Sequence, residues 1–166
     1  LRDLGYSPQV NVLSVPVTFA SMKNQDIDVF LGNWMPSQNL MIRPFTDDGS
    51  VVVIRPNLHG AKYTLAVPEY SYQAGIRDFA DIARFREALQ GSIYGIEPGN
   101  DANESLLKLI RKNEFNLSGF KLVESSEQGM LAELERAIAA RRAIVFLGWE
   151  PHPMNTRFRI RYLTGG

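Results

Sequence analysis

"SIYGIEPGNDANESLLKLIRKNEF", residues 92–115, decides the fold class. It opens as a short apolar strand that stops at a Pro-Gly turn, and from Asn103 the apolar residues return at helical spacing. The same rhythm continues on both sides. "IRDFADIARFREALQG" (76–91) puts Phe79, Ile82, Phe85 and Leu89 on one face of a helix that Gly91 stops. "FKLVESS" (120–126) reads as a strand, "EQGMLAELERAIAARR" (127–142) as a helix, and "AIVFLGW" (143–149) as a strongly apolar strand. Strands and helices in alternation predict an α/β sandwich around a largely parallel sheet.

Upstream the chain is richer in strand candidates. Val10–Val17, broken at Pro16, "DVFLG" (28–32), "VVVIRPNL" (51–58) and "AKYTLAVPEY" (61–70) all have the composition of strands, with a short helix at Phe19–Lys23. "LRDLGYSPQV" (1–10) reads as the last turn of a helix closed by Gly5 and leading into a strand. "FRIRYLTGG" (158–166) alternates like a strand before it runs into glycines. The strand-rich part gives way to the regular part between Leu58 and Tyr63.

Composition narrows the function classes. Eighteen basic and eighteen acidic residues cancel among 166, and no basic run stands out, so nothing pulls the chain towards nucleic acid or anionic lipid. The absence of cysteine excludes disulfides, thiolate metal sites and cysteine nucleophiles. No apolar stretch approaches the roughly 18 residues of a membrane-spanning helix. His59 and His152 lack a third ligand at a supporting spacing, and no G-x-S-x-G, H-E-x-x-H or P-loop pattern occurs. The expectation is a binding protein that is not an enzyme and holds no metal or cofactor.

In open α/β sheets, ligands meet the loops beyond the carboxyl ends of the strands. Those loops carry Asn33-Trp34, then Glu97 to Asp101, then Trp149-Glu150-Pro151-His152. "FLGNW" and "FLGW" place both tryptophans of the chain just after an apolar strand ending in Leu-Gly. One such ring could be a rim aromatic of the core; two in matching positions favour π faces presented to a cation, each contributing about 0.5–2 kcal/mol once water is excluded. A methylated ammonium suits such walls because it donates no strong hydrogen bond. Tyr63 reads either as another wall or as an ordinary strand residue. Asn100 reads either as a ligand contact at a helix N-terminus or as the helix cap, a role also open to Asp101 and Asn103.

Five stretches carry a family resemblance: "LSVPVTFASMKNQDIDVFLGNWMP" (13–36), "GAKYTLAV" (60–67), "YGIEPGN" (94–100), "VESSEQGMLAELERA" (123–137) and "VFLGWEPHPMN" (145–155). They resemble the periplasmic substrate-binding proteins of ABC importers for glycine betaine, choline and carnitine, and the choline-binding members most closely. The resemblance runs over essentially the whole chain. It implies an α/β fold of the type II periplasmic-binding-protein (Venus-flytrap) kind, with one complete lobe plus part of the other. Residues 1–61 would be the partial first lobe, 62–150 the second lobe, and 151–166 a return segment towards the first.

It implies further that Trp34, Tyr63 and Trp149 are three walls of an aromatic box, and that Asn100 meets the ligand's hydroxyl end. A fourth tryptophan wall and an acidic partner are expected on a loop before Leu1. The implied role is capture of choline in the periplasm, after export by a signal peptide outside this chain, and delivery to a membrane permease. Glycine betaine or carnitine binding, or a ligand-sensing regulatory domain of the same fold, are the alternatives. An incomplete first lobe is expected to leave apolar surface and a sheet edge open to homodimerisation or strand exchange.

Overall fold

The computed structural model describes residues 1–166, which divide into two compact units, Leu1–Arg55 and Pro56–Gly166. In the first unit a 3-10 turn, Arg2–Leu4, ends on Gly5 in the left-handed region (φ 83°), as the sequence suggests. Helix α1 (Val15–Lys23) has Pro16 in its first turn, where a missing N–H costs nothing. Helix α2 spans Asn39–Asp47. Phe19, Ile42 and Val51 form the small core of this unit. Phe30 meets Phe19 edge-on at 5.6 Å, and Phe45 stacks on it at 5.8 Å. Lys23 bonds Asp48 at 2.8 Å and, with Ser50, holds that carboxyl well below the usual carboxylate range.

Three expected strands are absent from this unit. Residues 10–14, 28–32 and 51–58 join no strand ladder, and Val15–Val17 belong to α1 instead. Their composition fits a pleated surface, but a strand exists only where a neighbour accepts its N–H groups. Without that neighbour the side chains stay outside: Val10 is 87% and Ile54 84% exposed.

The second unit holds all five strands in one sheet. Strand β1 is Lys62–Pro68, followed directly by α3 (Glu69–Gln73) and α4 (Phe79–Ile82). Then come β2 (Ser92–Tyr94), α5 (Asp101–Arg111), β3 (Lys121–Val123) and α6 (Glu127–Ala139). Strand β4 (Phe146–Glu150), α7 (Met154–Arg157) and β5 (Ile160–Tyr162) complete it. The order is β3-β2-β4-β1-β5. Strands β3, β2 and β4 are parallel, whereas β1 runs antiparallel to β4 and to β5. The sheet is therefore mixed, parallel only in the part that the alternating segments build.

Period-two alternation sorts the core. Leu65, Val67, Ile93 and Val145 pack on one face with Leu106 of α5; Ala66, Ile144 and Phe146 pack on the other with Met130 and Leu134 of α6. The expected helix over 76–91 keeps its buried face at Phe79, Ile82 and Leu89 but not its length. Asp78 caps α4 by accepting the Ala80 N–H, and a 3-10 turn (Ala83–Phe85) follows the single helical turn. The chain then bends through Gln90 and Gly91, both at positive φ.

Residues 158–166, read as a strand from their alternation, supply β5, with Tyr162 opposite Ala66 and Ile160 opposite Pro68 along the edge of β1. The compact division falls between Arg55 and Pro56, a few residues before the expected boundary at 61/62. No helix is long and apolar enough to cross a membrane.

Two substitutions separate what is buried from what only reads as buried. Leu134→Ala is expected to lower the unfolding free energy of the second unit by about 2–5 kcal/mol, read by urea denaturation. Ile54→Ser, at a residue of the first unit with equal strand character but 84% exposure, is expected to change that unit's unfolding free energy by less than about 0.5 kcal/mol. Comparable losses at both positions would show that residues 51–58 are paired after all.

Candidate ligand-binding site

The site grows from the β1–β4 pairing. Its register sets Tyr63 opposite Trp149 and Lys62 opposite Glu150. Facing residues of an antiparallel pair point to the same side of the sheet, so the two aromatics meet there. Their ring centroids are 6.2 Å apart at 83°, an edge-to-face arrangement. Lys62 and Glu150 form an exposed ion pair at 3.0 Å.

The helix N-terminus after β2 supplies the polar side. Asn100 caps α5 by accepting the Ala102 N–H at 2.9 Å through Oδ1. The same oxygen accepts the Tyr63 hydroxyl at 2.8 Å. Both lone pairs of Oδ1 are thereby used, so what Asn100 can offer a ligand is the N–H of its amide. Beside it stands Asp101, the first residue of α5, whose two carboxylate oxygens are buried and accept no hydrogen bond. Burial pushes the Tyr63 hydroxyl well above the usual phenol range, and the negative charge of Asp101 pushes it further, so the group stays a neutral donor.

A buried asparagine anchors this loop from below. Asn103 Oδ1 accepts the Ile96 N–H at 3.1 Å, and its amide donates to the Ile96 and Glu97 carbonyls and to Glu124 at 3.0–3.1 Å. Gly95 lies so close under Asn103 that a side chain there would collide with it.

The loop after Trp149 is locked in the same manner. Asn155 donates to the carbonyls of Trp149 and His152 at 2.9 and 3.0 Å, and its oxygen accepts the Tyr162 hydroxyl at 2.7 Å. Burial raises the Tyr162 phenol to about 12. Gly148 leaves room for that ring: a Cβ there would come within 2.9 Å of Tyr162 Cε1. The His152 ring lies 4.8 Å from that of Trp149.

Of the four residues singled out from sequence, the structure brings Tyr63, Asn100 and Trp149 together. Trp34 belongs to the first unit. Its N–H donates to Gln38 Oε1 at 3.1 Å and its carbonyl accepts the Gln38 N–H at 2.9 Å, winding the turn that enters α2. Neither tryptophan stands where the sequence suggests, beyond a strand that ends in Leu-Gly: no strand precedes Trp34, and Trp149 lies within β4. Each does precede a cis proline bond by one residue, at Met35-Pro36 and Glu150-Pro151.

Sequence reasoning placed Asp101 and Asn103 only as alternative caps and left the ring contact of His152 unread. The acid directly after a capping asparagine was the one available signal for Asp101. No group of His, Asp and Glu could hold a metal ion. Aromatic edges, one amide donor and one unpartnered carboxylate make a surface suited to binding, with no nucleophile poised beside a base.

Comparisons with known proteins give the family and the fold. The sequence model for OpuAC, the substrate binding domain of ABC-type glycine betaine transport systems, matches residues 1–166. A protein of Chromohalobacter salexigens designated ORF1 is 49% identical over 104 residues, which are 63% of this chain and 67% of that protein. Among solved structures, an ABC-transporter choline binding protein in complex with choline is 57% identical, with a TM-score of 0.89 over all of this chain and 57% of that one. Lactococcal OpuAC, closed on glycine betaine, is 28% identical, with a TM-score of 0.84 over 99% of this chain and 61% of its own. The chain thus spans less than two thirds of either solved relative. A match that runs from the first residue to the last, on the same α/β fold as both liganded proteins, shows that the chain belongs to the OpuAC family of ABC-type substrate-binding domains.

Proposed function

We propose that this chain is part of the solute-binding component of an ABC importer, which captures choline in the periplasm and hands it to a membrane permease without chemical change. The observation that carries the choice of ligand is Asp101. A buried carboxylate with no donor calls for one, and Asn100 beside it has only its N–H to give. A hydroxyl answers both, donating to Asp101 and accepting from Asn100. A carboxylate can only accept and would meet the charge of Asp101 as a like charge.

The trimethylammonium end lies in this reading against Tyr63 and Trp149, where exclusion of water strengthens each cation–π contact. Trp34 enters through its motif as a third wall. Closure of two lobes around the ligand follows if the closed state binds it better than the open one. Glycine betaine is the second reading, supported by the family's own description and by the liganded lactococcal relative.

Calorimetric titration of the full-length gene product with choline, glycine betaine and carnitine tests the proposal, and indifference to all three would sink it. Trp149→Ala is expected to weaken choline binding about two- to thirtyfold, the loss of one cation–π wall. Glu150→Ala removes an exposed ion pair and is expected to change affinity by less than about fivefold. Equal losses at both would argue against an aromatic box.

Asp101 has a test of its own. Asp101→Asn is expected to cost choline about ten- to hundredfold, the worth of a hydrogen bond to a charged acceptor, while glycine betaine binding holds or improves. Parallel losses for both ligands would assign Asp101 a structural role.

A further inference from the structure

We infer that Glu127 and His152 are positioning residues that hold the Trp149 indole in place, with His152 required to be neutral. The inference rests on the reading of Trp149 as a ligand wall. It starts from the two nitrogens of one ring.

His152 Nδ1 accepts the Met154 N–H at 3.0 Å, so in the neutral ring the proton sits on Nε2. That nitrogen lies 3.0 Å from Glu127 Oε1 and donates to it. Both edges of the imidazole are therefore occupied by protein, and neither is left to meet a ligand. What remains is the ring itself, 4.8 Å from the Trp149 ring and tilted by 59°. Its side chain is only 16% exposed.

Each support of this ring is itself anchored. Glu127 is the first residue of α6, whose cap Ser126 accepts the Gly129 N–H at 3.1 Å, and an acid in the first turn is favoured by the helix dipole. Met154 is fully buried, and Asn155 fixes the carbonyls of both Trp149 and His152. A chain of contacts thus runs from the end of α6 through Glu127 and His152 to the indole. Asn155 holds the backbone of Trp149, while the side chain meets the ring of His152 and makes the edge contact with Tyr63.

A second proton would fall on Nδ1, turn that acceptor into a donor facing the Met154 N–H, and break the bond. It would also set an imidazolium beside the indole proposed to receive the ligand's cation. Glu127 of α6 is bonded to the ring, and Glu150, two residues before His152 at the end of β4, is paired with Lys62 of β1. Acid therefore loosens the wall and repels the ligand together.

Two measurements on the full-length protein test this, one without ligand. In a background where every other tryptophan of the full-length protein, Trp34 included, is replaced by phenylalanine, Trp149 emission is followed from about pH 8 to about pH 5, the range in which imidazole takes up its second proton. Emission is expected to fall as imidazolium quenches the indole, and His152→Gln is expected to abolish that fall. A fall that survives the substitution would overturn the contact.

The second is choline affinity at neutral and acid pH. His152→Ala is expected to lose about three- to thirtyfold, up to the worth of one wall. His152→Gln, whose amide can accept from Met154 and donate to Glu127, is expected to regain most of the loss and to remove the weakening in acid. Choline binding by the alanine variant as tight as that of the parent, or a glutamine variant as weak as alanine, would overturn the inference. If the parent protein binds no quaternary ammonium, the functional reading fails, and the emission titration still decides whether His152 braces Trp149.

Discussion

The antiparallel register of β1 against β4 is the constraint on which the rest of the second unit depends. It is long-range, joining residues 62–66 to 146–150, and it does two things at once. It buries Leu65 and Leu147 at the centre of the sheet, and it sets Tyr63 beside Trp149 at its end. A slip of one residue would turn every side chain to the opposite face, and Tyr63 would lose its neighbour as Leu65 lost its core. The hydrophobic pattern that stabilises the sheet thus also brings the two aromatics together.

The polar side is held differently. The Asp101 carboxylate accepts no hydrogen bond, and it stands in the first turn of α5, where the helix dipole favours an acid. Asn103 satisfies the 96–97 backbone from inside and so holds the loop that carries Asn100 and Asp101.

Much of this was legible from local pattern and much was not. Helices α5 and α6 were readable because spacing and capping residues agree along the chain. Asn100 was read as either a cap or a ligand contact, and the structure shows the cap, made through Oδ1, which also accepts the Tyr63 hydroxyl. The false strands at 10–14, 28–32 and 51–58 mark the limit of composition, which states what a segment tolerates and not which neighbour it finds. The meeting of Tyr63 with Trp149, and of Trp149 with His152, depends on register and on a proline-bent loop, neither of which is written in local periodicity.

The two sides of the site come from different elements, and one side chain joins them. The Tyr63 ring belongs with Trp149 on the sheet, while its hydroxyl belongs with Asn100 at the helix end. The length of a tyrosine thus sets the spacing between the aromatic surface and the polar pair. On the reading proposed above, a solute that fills both would carry its cation and its polar end a short chain apart. The residues that set that distance have their first structural duty to the strand and to the helix cap.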